Sequence, residues 1–328
     1  MFPFGPILFS RKFLIPSGLL VLAGAGLTLW AGDQLACPPR KALEDHHREF
    51  LADPAAHGVR IDRFSAGDGT PCLVCTPDGS PGKRGAIIRD QLAARGLPLP
   101  SYGIVKGTLV LLHGRKGRKE DFLPVAERLC AAGFRCIIPD LPGHGEHPGE
   151  TITYGIREAA LPERVLDEAA RRFDFNKQPC GLVGMSMGGS VAVHAAGKGD
   201  IPWKALVVIA SFDALEPAVR GQASMRIGET LAGWWMKGVT KVYESKTGIP
   251  LASIRPCDSA EYVPIPTLVA HGSRDTITPM SSGRKLYECL PASIEARWIE
   301  IPGAGHDNVL ITDFPIYATI AEWMMERL

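Results

Sequence analysis

The chain has 328 residues, 45% of them hydrophobic and 22% charged, a composition that excludes disorder, collagen and coiled coil and allows a sizeable core. Its 36 basic and 35 acidic residues leave a net charge of +1, with no block of five like charges, so no electrostatic footprint for nucleic acid is present. Eight cysteines in this length are too sparse for a disulfide-built scaffold.

In chain order, the first predicted element is the uncharged run Phe13 to Ala31, flanked by Arg11 and Lys12 before it and Asp33 after it. As a helix it has about the length of a bilayer's hydrocarbon core, with Trp30 at one interface. Residues 1–37 are therefore expected to be a membrane anchor, with the rest of the chain extracytoplasmic and residues 13–31 meeting the membrane. A cleaved signal, leaving a secreted or periplasmic body, and a buried core helix are the competing readings. Cys37 only faintly resembles a lipoprotein cleavage site, since Gln34 does not fit that pattern. Residues 38–58 are polar and read as a linker or stalk.

The folded domain is expected over 59–328. Val59 to Ser65 and Thr70 to Thr76 are strands of a hairpin turned at Gly67-Asp68-Gly69. Cys72 and Cys75 within it form C-x-x-C, but no second pair at metal-ligand spacing accompanies them, so buried or disulfide-bonded cysteines are expected. Cys130 and Cys136 read as small core residues. A Gly- and Pro-rich loop follows at 77–85, then a helix over 87–95. The run Gly107 to His113 is continuously apolar, as in a strand buried on both faces. From there helices (120–132, 156–173, 188–197, 283–290, 316–328) alternate with strands (134–139, 180–184, 205–210, 268–271, 296–301). That alternation predicts a mostly parallel sheet with helices on both faces. The rhythm breaks at 211–263, where Trp234, Trp235, Met236 and Tyr243 suggest a helical insertion folded over the sheet edge as a lid.

The motif with the most chemistry is Gly184-Met185-Ser186-Met187-Gly188-Gly189, set between an apolar strand and an Ala-rich helix. G-x-S-x-G there is a nucleophile elbow, whose tight turn demands glycines around the serine. The serine then stands at a helix N-terminus, which favours developing negative charge. A hydroxyl needs a base, and the base needs a carboxylate. His306, in Gly303-Ala-Gly-His-Asp, and Asp275, in His271-Gly-Ser-Arg-Asp, follow Ser186 in the order Ser, Asp, His, each just after a different strand. Asp213 is the rival acid, and Asp307 is expected to be structural. Backbone N–H groups of Arg115 and Met187 are the expected oxyanion-hole donors. His113 is read as shaping that loop. The basic cluster Arg115, Lys116, Arg118 and Lys119 either recognises an anionic substrate group or lipid head group or is a solvated face.

These residues carry a resemblance. Leu112-His-Gly, Asp140-Leu-Pro-Gly-His-Gly-Glu, Gly-Met-Ser186-Met-Gly-Gly, His271-Gly-Ser-Arg-Asp275 and Gly-Ala-Gly-His306 resemble the α/β-hydrolase fold family, in its monoglyceride-lipase and serine-aminopeptidase-like branch. The resemblance runs from about residue 59 to 328. It implies Ser186 as nucleophile, His306 as base, Asp275 as its orienter and a lid in 211–263, while His144 matches a turn that is usually structural. The implied activity is that of a serine esterase working through an acyl-enzyme on a small or lipid-like ester, with no metal and no organic cofactor. His113, Met185, Trp234 and Trp235 are the expected substrate contacts, suited to an apolar acyl chain. Peptidase or amidase action, acyl transfer to an alcohol, and a non-catalytic binding module are the alternatives.

Overall fold

Alternate residues of the central strands point to opposite faces of a pleated sheet, so a run such as Leu109-Val110-Leu111-Leu112 needs apolar cover on both sides. In a computed structural model that describes the backbone of residues 11–199 and 201–328, and side chains from residue 22 onward, it has that cover. Leu109 and Leu111 belong to one hydrophobic cluster, Val110 and Leu112 to the other.

The elements, in order, are α1 (Arg11–Ala36), α2 (Asp45–Ala52), β1 (Val59–Ser65), β2 (Pro71–Pro77), α3 (Lys83–Ala94), β3 (Gly107–Leu112), α4 (Leu123–Ala131), β4 (Phe134–Pro139), α5 (Leu161–Arg172), β5 (Cys180–Met185), α6 (Met187–Ala196), β6 (Trp203–Ile209), α7 (Leu215–Ile227), α8 (Glu229–Thr247), α9 (Pro256–Ala260), β7 (Thr267–Gly272), α10 (Met280–Glu288), β8 (Ala296–Ile301) and α11 (Ile316–Met325). They form one eight-stranded sheet in the order β1-β2-β4-β3-β5-β6-β7-β8. Only β2 runs against its neighbours. The chain crosses one way from β3 to β4 and then back the other way, past β3, from β4 to β5. The crevice at the carboxyl ends of β3 and β5 is thus a topological switch point, where α/β sheets place their ligands.

Among the described residues, no helix is long and apolar enough to cross a membrane. The span expected over 13–31 is corrected by that finding, together with the membrane contact and the membrane-anchored placement built on it. Residues 1–10, and the side chains of 11–21 with the Arg11–Lys12 flank, lie outside the described residues. The end of α1 meets protein, although Leu22, Leu27, Leu29 and Trp30 before it are exposed. Ala36 is fully buried in the core, with Ala31 and Leu35 packed beside it. A Cβ added to Gly32 would come within 2.5 Å of Val242, so α1 lies close against α8. Asp33 pairs with Lys246 of α8 at 2.7 Å. Downstream, α2 buries His47 and Phe50 against the body, and His47 Nε2 meets Asp121 at 2.9 Å.

Cys72 and Cys75 are buried, unpaired thiols. Three positions apart on one strand they face opposite ways, and each sits in a different core cluster. The disulfide joins Cys257 of α9 to Cys289 just beyond α10, 32 residues apart. Its loop contains β7 and Asp275. Closing a loop of that length stabilises a fold by about 3–4 kcal/mol through the unfolded chain's lost entropy. The double variant Cys257→Ser, Cys289→Ser is expected to lose that much unfolding free energy in a urea melt. A loss below about 1 kcal/mol would mean the cross-link does not constrain the unfolded chain in this way.

Candidate active site

Met185 ends β5 and Met187 opens α6, leaving one residue to turn the chain from strand to helix. That residue is Ser186, held at φ 54°, ψ −118°. A side-chain-bearing residue in this region stores about 1–3 kcal/mol of strain, which its surroundings must hold. They do so through hydrogen bonds: Ser186 N–H donates to Ile209 O at 2.8 Å, and the Ser211 hydroxyl donates to Ser186 O at 2.9 Å. The turn also forces backbones together. A Cβ on Gly184 would lie 2.2 Å from Gly188 O, and one on Gly188 2.1 Å from Leu112 O, so neither position has room for a side chain.

The structure brings Ser186, His306 and Asp275 together. Ser186 Oγ is 2.9 Å from His306 Nε2. His306 Nδ1 is 2.7 Å from Asp275 Oδ2. These contacts fix the neutral imidazole as the Nδ1–H tautomer, with Nε2 free to accept the serine's proton. Asp275 is buried, and its other oxygen accepts N–H bonds from Ile277 and Thr278, both at 2.9 Å. Burial opposes its ionisation. Hydrogen bonds from His271, His306 and the Thr278 amide, with the charge on His306, outweigh burial and hold its pKa well below the usual carboxylate range.

Thr278 and His271 are two site residues the sequence reasoning missed. Thr278 Oγ1 lies 3.0 Å from both Asp275 Oδ2 and His306 Nδ1. His271, fully buried, donates from Nε2 to Thr278 O at 2.7 Å and lies 3.4 Å from Asp275 Oδ2. A Thr three residues after the acid is the signal that could have found the first. Asp213, the rival acid, is engaged by the Ser282 hydroxyl instead.

Arg115 follows Gly114, whose added Cβ would stand 3.3 Å from Ser186 Cβ, so this loop passes close over the serine. The Met187 amide is the first of α6 and has no carbonyl to meet within its own helix. His113 is fully buried. Its Nδ1–H donates to Gly114 O at 2.9 Å and its Nε2 accepts from Leu141 N–H at 3.1 Å. Burial lowers its pKa against the Gly114 bond and the Asp140 charge, so the ring stays neutral and holds the loop. His144, edge-on to His113 with centroids 5.1 Å apart, is buried down to a pKa of about 3.

The basic loop divides. Arg115 Nη2 donates to Gln34 O at the end of α1, and Lys116 is exposed. Arg118 and Lys119 are buried, which corrects their reading as solvated or ligand-facing. Arg118 pairs with Glu120 at 2.6 Å. The Lys119 ammonium pairs with Asp140 at 2.7 Å and Glu146 at 2.6 Å. Asp140, fully buried, also accepts the amides of Lys119 and Glu146 at 2.8 and 2.9 Å, tying the 140–146 turn to the loop over the serine. Removing one partner of a buried pair leaves the other charge uncompensated. Lys119→Met is expected to cost about 3–5 kcal/mol in a denaturant melt, and a cost under 1 would mean the pair is not stabilising.

Ser186 and His306 open into a cavity of about 980 Å³. His113, Met185 and the Arg115–Gly117 loop line it, as do residues of α3, α4 and the 307–317 segment. Asp307, expected to be structural, stands exposed on its rim. Trp234 and Trp235 do not line it. Trp234 is 72% exposed, and Trp235 packs beside the core. The expected substrate contact is not met in this cavity, since Trp234 faces solvent and Trp235 the core.

Fold and site together define an α/β hydrolase. The alpha/beta hydrolase family matches residues 109–321, and the chain belongs to it. Among characterised proteins it is similar to the pimeloyl-[acyl-carrier protein] methyl ester esterase of Chromobacterium violaceum, with 27% identity over 65% of this chain and 92% of that one. Among solved structures it shares its fold with the Pyrococcus furiosus esterase Pf2001, at TM-score 0.61 and 14% identity over 90% of this chain and 98% of that one. A monoacylglycerol lipase from Paleococcus ferrophilus gives TM-score 0.51 and 20% identity over 69% of this chain and 96% of that one.

Proposed function

We propose that the protein is a serine hydrolase that cleaves a carboxylic ester through an acyl-enzyme. The observation that carries this is His306 standing between Ser186 Oγ, at 2.9 Å, and the buried Asp275 carboxylate, at 2.7 Å. His306 Nε2 takes the hydroxyl proton as Oγ attacks the ester carbonyl. The Arg115 and Met187 amides receive the developing oxyanion. The tetrahedral intermediate collapses, His306 gives the proton to the leaving alcohol, and the acyl group stays on Ser186. A water then attacks the acyl-enzyme, with His306 again as base, and the acid is released. Throughout, Asp275 stays ionised and steadies the imidazolium.

The methyl ester named for the Chromobacterium relative supports an ester over an amide as the bond cleaved. A cavity of about 980 Å³ suits a small-molecule acyl or alcohol group. The test is a fluorophosphonate probe on the full chain, beside p-nitrophenyl esters from two to sixteen carbons. Labelling at Ser186 with turnover of some chain length is expected. A folded protein that takes no label and turns over no ester would overturn the proposal in favour of a binding module.

A further inference from the structure

The cavity that contains Ser186 is unevenly charged along its walls, and the cations there are not equivalent. Lys41 is matched by Asp121 at 2.7 Å. Arg84 is matched by Glu127 at 3.1 Å. Arg115 and Lys116 line it without an ion pair among the described residues, Arg115 bonded to the Gln34 carbonyl and Lys116 exposed. Arg128, in the last turn of α4, is a third cation without an ion pair, and it is stacked on an aromatic ring. Its guanidinium lies 4.2 Å over the Tyr317 ring, and Nη1 donates to Pro124 O at 2.7 Å. Among the described residues, Nε and Nη2 have no hydrogen-bond partner and no carboxylate lies within ion-pair distance. Asp307 and Asp313 share the cavity wall without reaching it. Burial, with the Arg84 charge nearby, pulls its pKa below the ordinary guanidinium value.

The free Nε and Nη2 of Arg128 are not sealed from water, so a ligand entering the cavity can reach them. The guanidinium is also fixed in place. The aromatic ring and the helix carbonyl hold its plane, so little freedom is lost when the remaining N–H groups close on a planar or tetrahedral anion. The α3 and α4 wall of the cavity is mixed, with Ile87, Ile88 and Val125 beside Arg84 and Gln91. An anion there meets Arg128 directly, with the exposed Asp307 and Asp313 elsewhere on the same wall.

Resting on the hydrolase reading above, we infer that Arg128 anchors an anionic group of the substrate: the preferred esters carry a carboxylate or phosphate remote from the scissile carbonyl, joined to it by an apolar spacer. Arg128 is then the residue that sets specificity, while Ser186 and His306 set chemistry.

The test compares kcat/KM on three series of methyl esters matched in spacer length: neutral acyl esters, monomethyl esters of dicarboxylic acids, and esters with a terminal phosphate. The wild-type chain is expected to favour one charged series by about 10- to 100-fold, the range of one charge-assisted hydrogen-bond pair, and the favoured series identifies the anion. Arg128→Gln is expected to erase that preference through KM, leaving neutral esters within about twofold. Arg128→Lys, which keeps charge but not the fork, is expected to retain part of it and guards against a folding defect. Equal turnover of charged and neutral esters by wild type, with Ser186 labelled normally, would overturn this inference alone. So would an equal fall on both series in Arg128→Gln. No turnover of any ester and no labelling would overturn the hydrolase reading and this inference together.

Discussion

Ser186→Ala is expected to lower ester turnover by about 10⁴- to 10⁶-fold and to abolish fluorophosphonate labelling, with the fold intact. The size follows from the role proposed for the hydroxyl: without Oγ the proposed acyl-enzyme cannot form, and only the amides and the cavity remain to act. Stability is expected to move the other way in a companion variant. At φ 54°, ψ −118° any side chain is strained, alanine as much as serine. Glycine is not. Ser186→Gly is therefore expected to be as inactive as Ser186→Ala and more stable than it by about 1–2 kcal/mol in a thermal or urea melt. Equal stabilities would mean that the turn carries no strain. Retained turnover in either variant would remove Ser186 from the chemistry.

Asp275→Asn is expected to lower kcat by about 10³- to 10⁴-fold, because an amide that donates toward His306 Nδ1 favours the wrong tautomer and cannot steady an imidazolium. Its second effect is on stability. The folded carboxyl titrates well below the ordinary range, chiefly because His271, His306 and Thr278 outweigh its burial. The unfolded carboxyl titrates at about 3.9. A depressed folded pKa contributes stability that is fully present above the unfolded value and is lost as pH falls toward the folded one. Wild type is thus expected to exceed Asp275→Asn in stability at neutral pH, with the gap narrowing as pH drops below about 4. Urea midpoints at pH 7, 4 and 3 check it. A gap independent of pH would mean the loss is packing rather than charge.

The sheet and the grouping of Ser186, Asp275 and His306 were legible in the sequence because both rest on local signals. Apolar runs of strand length, glycines where backbones must touch, and chain order at strand ends each leave a mark in a few consecutive residues. What was hidden depends on who meets whom. Hydropathy reports that the run 13–31 is apolar and does not report what its last residues meet: Ala31 packs beside the core while Leu27, Leu29 and Trp30 lie exposed. Cysteine spacing does not reveal pairing, so the neighbours Cys72 and Cys75 drew attention while Cys257 and Cys289 formed the bond. The tryptophans at 234 and 235 announced a helix with an apolar face and nothing about which way it turns. Arg118, Lys119 and Arg128 look alike as letters. Only burial and the presence or absence of a carboxylate separate two structural cations from one that is unmatched.

The contact between Arg115 and the carbonyl of Gln34 bears on how the protein can be divided. The family match begins at residue 109, yet the loop that supplies one proposed oxyanion donor is moored to the end of α1, more than seventy residues earlier in the chain. A support of that loop therefore lies outside the boundaries that sequence similarity draws. A fragment trimmed to the matched region, or even to residue 38, keeps the serine, the acid and the histidine but loses the fastening of the loop above them. Dissection at α1 separates assembling the reacting groups from aligning them.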